Sequence, residues 1–240
     1  MKFEELLYSI GSLVEKMGAK MKDFIIPSPS EKIPKSKFLK RNLTPHELIS
    51  LRLQLSFLLF LVISLISMLL RNLPILILAF TLEFLYIRYT LIKNREFMVS
   101  FNPYRFFYYG ISTMTFLAFL GYLILRNFTK ALKYYLVYIG IISLAVLGFR
   151  YYFKHRFGRD YTYGIVEEIK NDLAKVFVHD DISANVKPGY YWVPANANIK
   201  EGDIVKLLVE QRTFRGSIPV RILEVSQSSQ TSTEPKDESE

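Results

Sequence analysis

The feature of this sequence that most constrains its fold is an uncharged stretch from Leu53 to Leu70, between Arg52 and Arg71. Three further apolar stretches follow it before residue 150. The hydrocarbon core of a bilayer is about 30 Å thick, so about 20 apolar helical residues cross it. A helix satisfies its own backbone hydrogen bonds within a single segment, which lipid requires. The sequence therefore predicts an α-helical polytopic membrane protein with four transmembrane helices.

Short polar motifs mark where these helices begin and end. In Thr44-Pro45-His46-Glu47 the threonine hydroxyl can cap a helix, proline fits its first position, and the glutamate can reach back to the cap. Asn72 and Pro74 start the next helix at once, which predicts a tight helical hairpin. Gly158 is expected to stop the last helix. The four spans are predicted over residues 44–70, 73–92, 106–125 and 134–149, within a transmembrane domain of residues 44–158.

The positive charge of the chain is concentrated in its membrane half. Residues 1–159 hold 22 Lys and Arg against 8 Asp and Glu, whereas residues 160–240 hold 9 against 14. An acidic soluble part neutralises phosphates poorly, which speaks against nucleic acid as a partner. Lys and Arg gather before the first helix, between the second and third, and after the fourth. The positive-inside rule therefore predicts a multi-pass protein of the cell membrane with both termini in the cytoplasm.

The segment before the first span is expected to have two parts. Residues 1–26 are predicted to form an amphipathic helix, because their apolar residues are spaced alternately by four and three. This spacing fits a helix lying against the membrane or against the soluble domain, and it also fits a short coiled-coil seam. Residues 27–43 form a basic linker rich in Pro and Ser, which is both a topology determinant and a set of candidate contacts to lipid headgroups. The candidate contacts are Lys32, Lys35, Lys37, Lys40 and Arg41.

After residue 159 the hydrophobic period changes from that of helices to that of strands. Five strand-like runs, with a hairpin signal at Asn171-Asp172, predict a small OB-like five-stranded β-barrel over residues 159–225, since a barrel leaves no open edge. The strands are predicted over residues 161–169, 173–179, 189–193, 203–211 and 217–225. Residues 226–240 are rich in Ser, Thr, Gln and Glu and are expected to be a disordered tail.

Glu83 is the most suggestive single residue, because it lies near the middle of the second span. A carboxylate in hydrocarbon is costly unless it is protonated, paired or hydrated, so it is expected to face the interior of the bundle. One interpretation makes Glu83 and Arg88 an intramembrane polar site for a proton or a cation. The other makes Glu83 a structural residue bonded to a neighbouring helix, with Arg88 extended towards the headgroups. The structural interpretation names as partners Ser64, Ser67, Ser112 and Thr115.

The sequence shows no catalytic chemistry. The chain has no cysteine, so it offers neither a thiolate nucleophile nor a disulfide framework. Its three histidines, His46, His155 and His179, are too scattered for a metal site. His179 with Asp180 and Asp181 could hold a cation or could form an ordinary polar turn. The sequence accordingly predicts no enzyme activity, no cofactor and no metal site.

The segment Lys187–Pro194, followed by Gly202-Asp203-Ile204-Val205 and a closing strand over residues 218–225, resembles small OB-type barrels. It is similar to RNA-binding TRAM domains and to the soluble barrels of NfeD-like membrane proteins. The whole chain, four helices followed by this barrel, resembles an uncharacterised archaeal four-helix membrane protein family. These resemblances imply a topology and no particular activity. A barrel surface patch for RNA would consist of Lys206, Arg212, Phe214, Arg215 and Arg221.

Three functions remain open at this point. The first is a non-catalytic adaptor or scaffold that holds the barrel at the cytoplasmic membrane surface for a protein partner. Similarity to the NfeD-like group implies a membrane protease or a scaffold complex as that partner. The second function is a small transporter or channel that uses Glu83, and the third is a membrane tether for RNA through the barrel. Membrane lipids are expected around the helices, and a homo-oligomer is an open alternative.

Overall fold

A computed structural model describes residues 3–29, 44–98, 100–195, 199–212 and 216–226 of the chain. The basic linker residues from Lys32 to Arg41 lie outside the described residues, as do Phe214, Arg215 and the tail from residue 227 onward. The chain divides into two compact units, Met1–Phe157 and Gly158–Glu240. The first unit is helical and the second is a β-sheet.

Five α-helices make up the described part of the first unit. Their bounds are α1 Phe3–Ile25, α2 Pro45–Leu70, α3 Leu73–Lys93, α4 Phe101–Phe128 and α5 Leu132–Phe157, with a short 3₁₀ turn at Arg95–Phe97. The four helices α2 to α5 are long and apolar enough to cross a membrane, which confirms the predicted spans. Helix α4 extends several residues beyond its predicted span at both ends, and α5 continues beyond its span to Phe157, which confirms the predicted stop at Gly158. The reason is that hydropathy marks the part of a helix that lipid surrounds, whereas the helix itself continues into the interface.

The predicted caps are present at the start of the first hairpin. The Thr44 hydroxyl accepts a hydrogen bond from the Glu47 amide at 3.4 Å, and the Thr44 amide donates to the Glu47 carboxylate at 3.0 Å. The Asn72 side chain accepts from the Ile75 amide at 3.2 Å. Arg71, between the two helices, has a positive φ of 55° and so forms a left-handed cap on α2. Helices α2 and α3 are therefore joined by two residues only.

Helices α2, α3 and α4 pack together along buried stripes at helical spacing. The stripe on α4, for example, consists of Tyr104, Tyr108 and Ser112. Stacked rings join α3 to α4, because Phe80 lies 4.3 Å from Phe116 and Phe84 lies 4.5 Å from Tyr109, measured between ring centroids. Helix α5 packs on α4 through an aromatic cluster around Phe106, Phe149 and Phe153. Among the residues of α5, Phe153 alone is buried, so most of this helix is left to lipid.

The C-terminal end of α1 lies against the C-terminal end of α3. The Lys93 amine donates to the Asp23 carboxylate at 2.7 Å, and the rings of Phe24 and Tyr89 lie 5.4 Å apart. Before this contact, the apolar side chains of Leu13, Met17 and Met21 on α1 are exposed. The predicted N-terminal helix is confirmed, and its apolar face meets a partner only at its end in the part that the structure describes.

The second unit is a curled antiparallel sheet of five strands, which confirms the five predicted strands; it is a half-barrel rather than a closed barrel. Its strands are β1 Tyr161–Lys170, β2 Leu173–Val178, β3 Gly189–Pro194, β4 Ile204–Glu210 and β5 Ile218–Ser226. They are arranged in the order β3-β2-β1-β4-β5. A parallel bridge between Val186 and Ser217 joins the chain before β3 to the chain before β5, so the two edges of the sheet approach each other there. The hairpin turn at Asn171-Asp172 is confirmed, with Asn171 at a φ of 53°.

The concave face of this sheet holds its hydrophobic core. Val166, Val176, Val193 and Val205 are fully buried there, and they alternate with outward residues along each strand. Gly164 lies on the same face, where a side chain would meet Val176 and the backbone oxygen of Phe177. The sheet can therefore curl tightly at β1 because this position has no side chain.

Candidate functional site

Glu83 lies in the middle of the buried stripe of α3, between Ala79 and Ile87. Only 6 % of its surface is exposed. Spacings of three and four residues put all members of the stripe on one side of the helix, so the position of Glu83 follows directly from its register. The carboxyl group consequently faces the neighbouring helices.

The partner of Glu83 is Ser56 of α2, which the sequence analysis did not name. The Ser56 hydroxyl lies 3.2 Å from Glu83 Oε1 and 3.0 Å from the backbone oxygen of Leu53. Of the predicted partners, Ser67 donates to the backbone oxygen of Asn72 at 2.6 Å instead. The hydroxyls of Ser64 and Ser112 are buried with no hydrogen-bond partner among the described residues, and Thr115 does not bond to Glu83 either. Counting outward from the two-residue turn places Phe60 opposite Glu83 and puts Ser56 and Ser64 one turn to either side of that level, so counting alone does not choose between the two serines.

Arg88 does not pair with Glu83. Five residues along a helix correspond to a rotation of about 140°, and the Arg88 side chain is exposed on that other side. The two predicted members of the intramembrane polar site are thus separated by the structure. Glu83 remains as a single buried carboxyl group, hydrogen-bonded to one serine.

A second buried polar contact joins the start of α2 to the start of α4. His46 Nε2 lies 3.2 Å from the Tyr104 hydroxyl, and both side chains are buried. In the sequence His46 is one of three scattered histidines, and its partner is 58 residues away in the chain, so no local pattern reveals the contact. This contact fixes the ends of two spans to each other.

The outer face of the half-barrel carries a continuous row of apolar and aromatic residues. Strand pairing places Tyr190 opposite Phe177, Phe177 opposite Ile165, and Ile165 opposite Ile204, so the row crosses four strands. Tyr190 is 53 % exposed, and Ile165 and Ile204 are exposed as well. Antiparallel sheets with one face in water normally carry polar residues on that face. This row, hereafter the outer row, is therefore not required by the core of the domain.

Further aromatic residues and ion pairs flank the outer row. Trp192 is 48 % exposed and pairs across the strands with Lys175. Lys175 also lies 3.7 Å from the Glu168 carboxylate and 4.9 Å from the Tyr190 ring centroid. The flanking charges are thus partly balanced within the domain.

The predicted RNA patch is only partly assembled by the structure. Lys206 and Arg221 lie on strands β4 and β5, and Arg212 is exposed after β4. The Lys206 amine donates to both oxygens of Glu224 at 3.2 and 3.3 Å, and this hydrogen bond raises the pKa of Lys206. A lysine held by a carboxylate is a poor ligand for phosphate, since the two anions compete for it.

Asp181 is a structural residue of the half-barrel. Its buried carboxylate accepts hydrogen bonds from Arg159 Nη2, from the Thr162 hydroxyl at 2.9 Å, and from the amides of Ser183 and Ala184 at 3.0 and 3.2 Å. Among the described residues, no group of three or more His, Asp and Glu side chains is placed to hold a metal ion. The polar-turn interpretation of Asp181 therefore fits the structure, because its oxygens are already occupied.

The fold defines a class of protein, a multi-pass membrane protein with four spans and a C-terminal half-barrel. The chain belongs to the family described as predicted membrane protein (DUF2101), whose model matches residues 21–223. The match runs from the last turns of α1 to β5 and so includes both compact units. Comparison with curated proteins and with solved structures found no match.

Proposed function

We propose that this membrane protein is a non-catalytic adaptor that anchors its half-barrel at the membrane and presents the outer row to a protein partner. The observation that carries this proposal is the row itself, which exposes apolar and aromatic side chains across four strands. Contiguous exposed apolar surface of this kind marks interaction sites in soluble domains. Aromatic residues are also the side chains most enriched in the energetically important parts of protein interfaces.

The charges beside the row favour a protein over an anionic surface. Lys175 and Lys206 are each paired with a glutamate of the same sheet, so they add little positive potential. Binding to RNA or to anionic headgroups depends on unbalanced Lys and Arg. An apolar centre with a rim of paired charges has instead the composition of a protein–protein interface.

The partner can be sought by cross-linking the full-length protein in native membranes, followed by purification in mild detergent and mass spectrometry. We expect the double variant Ile165→Thr/Tyr190→Ser to lose proteins that the wild type retains. Leu223→Thr is the matched control, because it also removes an exposed apolar side chain but lies outside the row. An identical set of cross-linked proteins in all three samples would overturn the proposal, and a set released by ribonuclease would support the RNA tether instead.

The cytoplasmic location of the half-barrel rests on the distribution of Lys and Arg along the chain. Because the chain has no cysteine, a single introduced cysteine is a unique label site. An impermeant maleimide added to intact cells should label Lys130→Cys, in the turn between α4 and α5, and should label Glu201→Cys only after permeabilisation. The opposite pattern would contradict the proposed orientation.

A small transporter or channel that uses Glu83 is the second candidate function. The observation in its favour is a carboxyl group that is 6 % exposed within a membrane helix. However, α2 to α5 are continuous helices, whereas the binding sites of secondary transporters are typically built from broken ones. Ion flux into liposomes that the wild type supports and Glu83→Gln abolishes would favour the transporter over the adaptor.

A further inference from the structure

The Ser56 hydroxyl contacts two oxygens but has only one hydrogen to donate. The Ser56 hydroxyl lies within bonding distance of two oxygens, the Leu53 backbone oxygen at 3.0 Å and Glu83 Oε1 at 3.2 Å. A serine hydroxyl has one hydrogen to donate and two lone pairs that can accept. The backbone oxygen can only accept. If Glu83 were ionised, it too could only accept, and two acceptors would compete for a single hydrogen.

Among the residues that the structure describes, no cation is paired with the Glu83 carboxyl group. Arg52 lies one turn before Ser56 on α2 and Arg88 lies five residues after Glu83, and neither bonds to Glu83 in the described part of the chain. Helix α1 meets α3 only near Lys93, ten residues further along, where Asp23 pairs with that lysine. A carboxylate held in the membrane without a cation would keep the full cost of its desolvation.

The side chains that α4 presents at this level are neutral. The stacked pairs Phe80–Phe116 and Phe84–Tyr109 enclose the level of Glu83 on α3, and Ser112 lies between Tyr109 and Phe116 on α4. The Ser112 hydroxyl is buried and has no hydrogen-bond partner among the described residues. The residues of α4 from Tyr109 to Phe116 therefore bring no charge to the level of Glu83.

We propose that Glu83 is a proton-binding site in the membrane core and that its carboxylic acid donates to Ser56, which in turn donates to the backbone oxygen of Leu53. With one added proton, each of the two contacts in this chain of three oxygens contains its own hydrogen. The ligand is a proton and not a metal cation, because hard cations take six or more oxygen ligands whereas Glu83 has one bonded neighbour. The site goes beyond the adaptor proposal, since it lies in the helical unit and does not depend on the outer row.

Infrared difference spectroscopy of the full-length protein in lipid nanodiscs tests this assignment. At neutral pH the wild type should show the carbonyl absorption of a protonated carboxylic acid, and Glu83→Gln should lose it. Glutamine keeps the shape of the acid and its amide can donate to Ser56, so this variant is expected to remain folded. Glu96→Gln is the matched control, because it makes the same chemical change at a glutamate that is exposed. Absence of the band from the wild type, or its survival in Glu83→Gln, would overturn the proposal.

The hydrogen bond between Glu83 and Ser56 is tested by Ser56→Ala. Loss of the acceptor should shift the acid carbonyl absorption of Glu83 to higher frequency, since a carboxylic acid that no longer donates has a stronger carbonyl bond. An unchanged band would show that Glu83 does not donate to Ser56. The variants of the outer row should leave the band unchanged, so the failure of this proposal and the failure of the adaptor proposal can be told apart.

Discussion

Replacement of Asp181 by alanine should lower the free energy of unfolding of the half-barrel more than any conservative substitution on its surface. The carboxylate accepts from Arg159, from the Thr162 hydroxyl and from two backbone amides, and only 6 % of Asp181 is exposed. Alanine leaves these donors without their acceptor in a place that water reaches poorly. An acceptor lost to a buried donor costs about 1–3 kcal/mol, and removal of one partner from a buried ion pair costs about 3–5 kcal/mol.

We therefore expect Asp181→Ala to lower the free energy of unfolding by about 3–5 kcal/mol, which is a large part of the stability of a small domain. For a domain of this size each kcal/mol lowers the melting temperature by about 4–8 °C, so the midpoint should fall by about 12 °C or more. Asp181→Asn keeps one oxygen for the two amides but loses the charge that binds Arg159. Its cost should be smaller, about 1–3 kcal/mol.

The chain contains its own probe for this measurement. Trp192 is the single tryptophan and lies in β3, so its fluorescence reports the unfolding of the half-barrel in the full-length protein in detergent. Asp172→Asn is the control for Asp181→Asn, because it makes the same chemical change at an exposed turn residue. It should lower the free energy of unfolding by less than about 0.5 kcal/mol. A midpoint for Asp181→Ala within about 3 °C of the wild type would refute the reasoning, since it would mean less than 1 kcal/mol.

Three further predictions follow from contacts in the two units. Gly164→Ala places a methyl group against Val176 and should cost about 1–3 kcal/mol by the same fluorescence assay, whereas Gly189→Ala, where nothing lies within 4 Å, should cost far less. Asp23→Asn removes the ion pair that holds α1 to α3, a partly exposed contact that contributes about 0.2–1 kcal/mol, and should speed limited proteolysis around residues 20–29. Thr44→Ala removes the side-chain cap of α2 and should cost about 1 kcal/mol, seen as faster amide exchange in the first turn only; exchange that is unchanged there would contradict the capping role.

Local patterns predicted most of the secondary structure of this protein. The capping box at Thr44 and Glu47 and the cap at Asn72 were visible because each is built from residues within four positions of one another. The five strands agree with their predicted ranges to within one or two residues, since alternation of buried and exposed residues is also a local signal. Hydropathy alone marked shorter segments than the helices, because α4 runs from Phe101 to Phe128 and the polar ends of a span do not register in its hydropathy.

The contacts of the candidate sites could not be predicted in the same way. Ser56 and Glu83 are 27 residues apart, and the choice among several serines depended on how three helices are rotated about their axes. The outer row became visible only when strand pairing placed Tyr190 beside Phe177 and Ile165 beside Ile204. Each of these residues is unremarkable in its own strand, and the apolar surface arises from the register between strands.

The turns that join the spans have a consequence for what this protein can sense. Two residues, Arg71 and Asn72, join α2 to α3, and three residues, 129–131, join α4 to α5. Four crossings put both turns on the face of the membrane opposite the two chain ends. That face presents two short turns and the ends of four helices to its compartment. A molecule in that compartment would therefore meet turns and helix ends, rather than a folded domain, on the described part of the chain between α2 and α5.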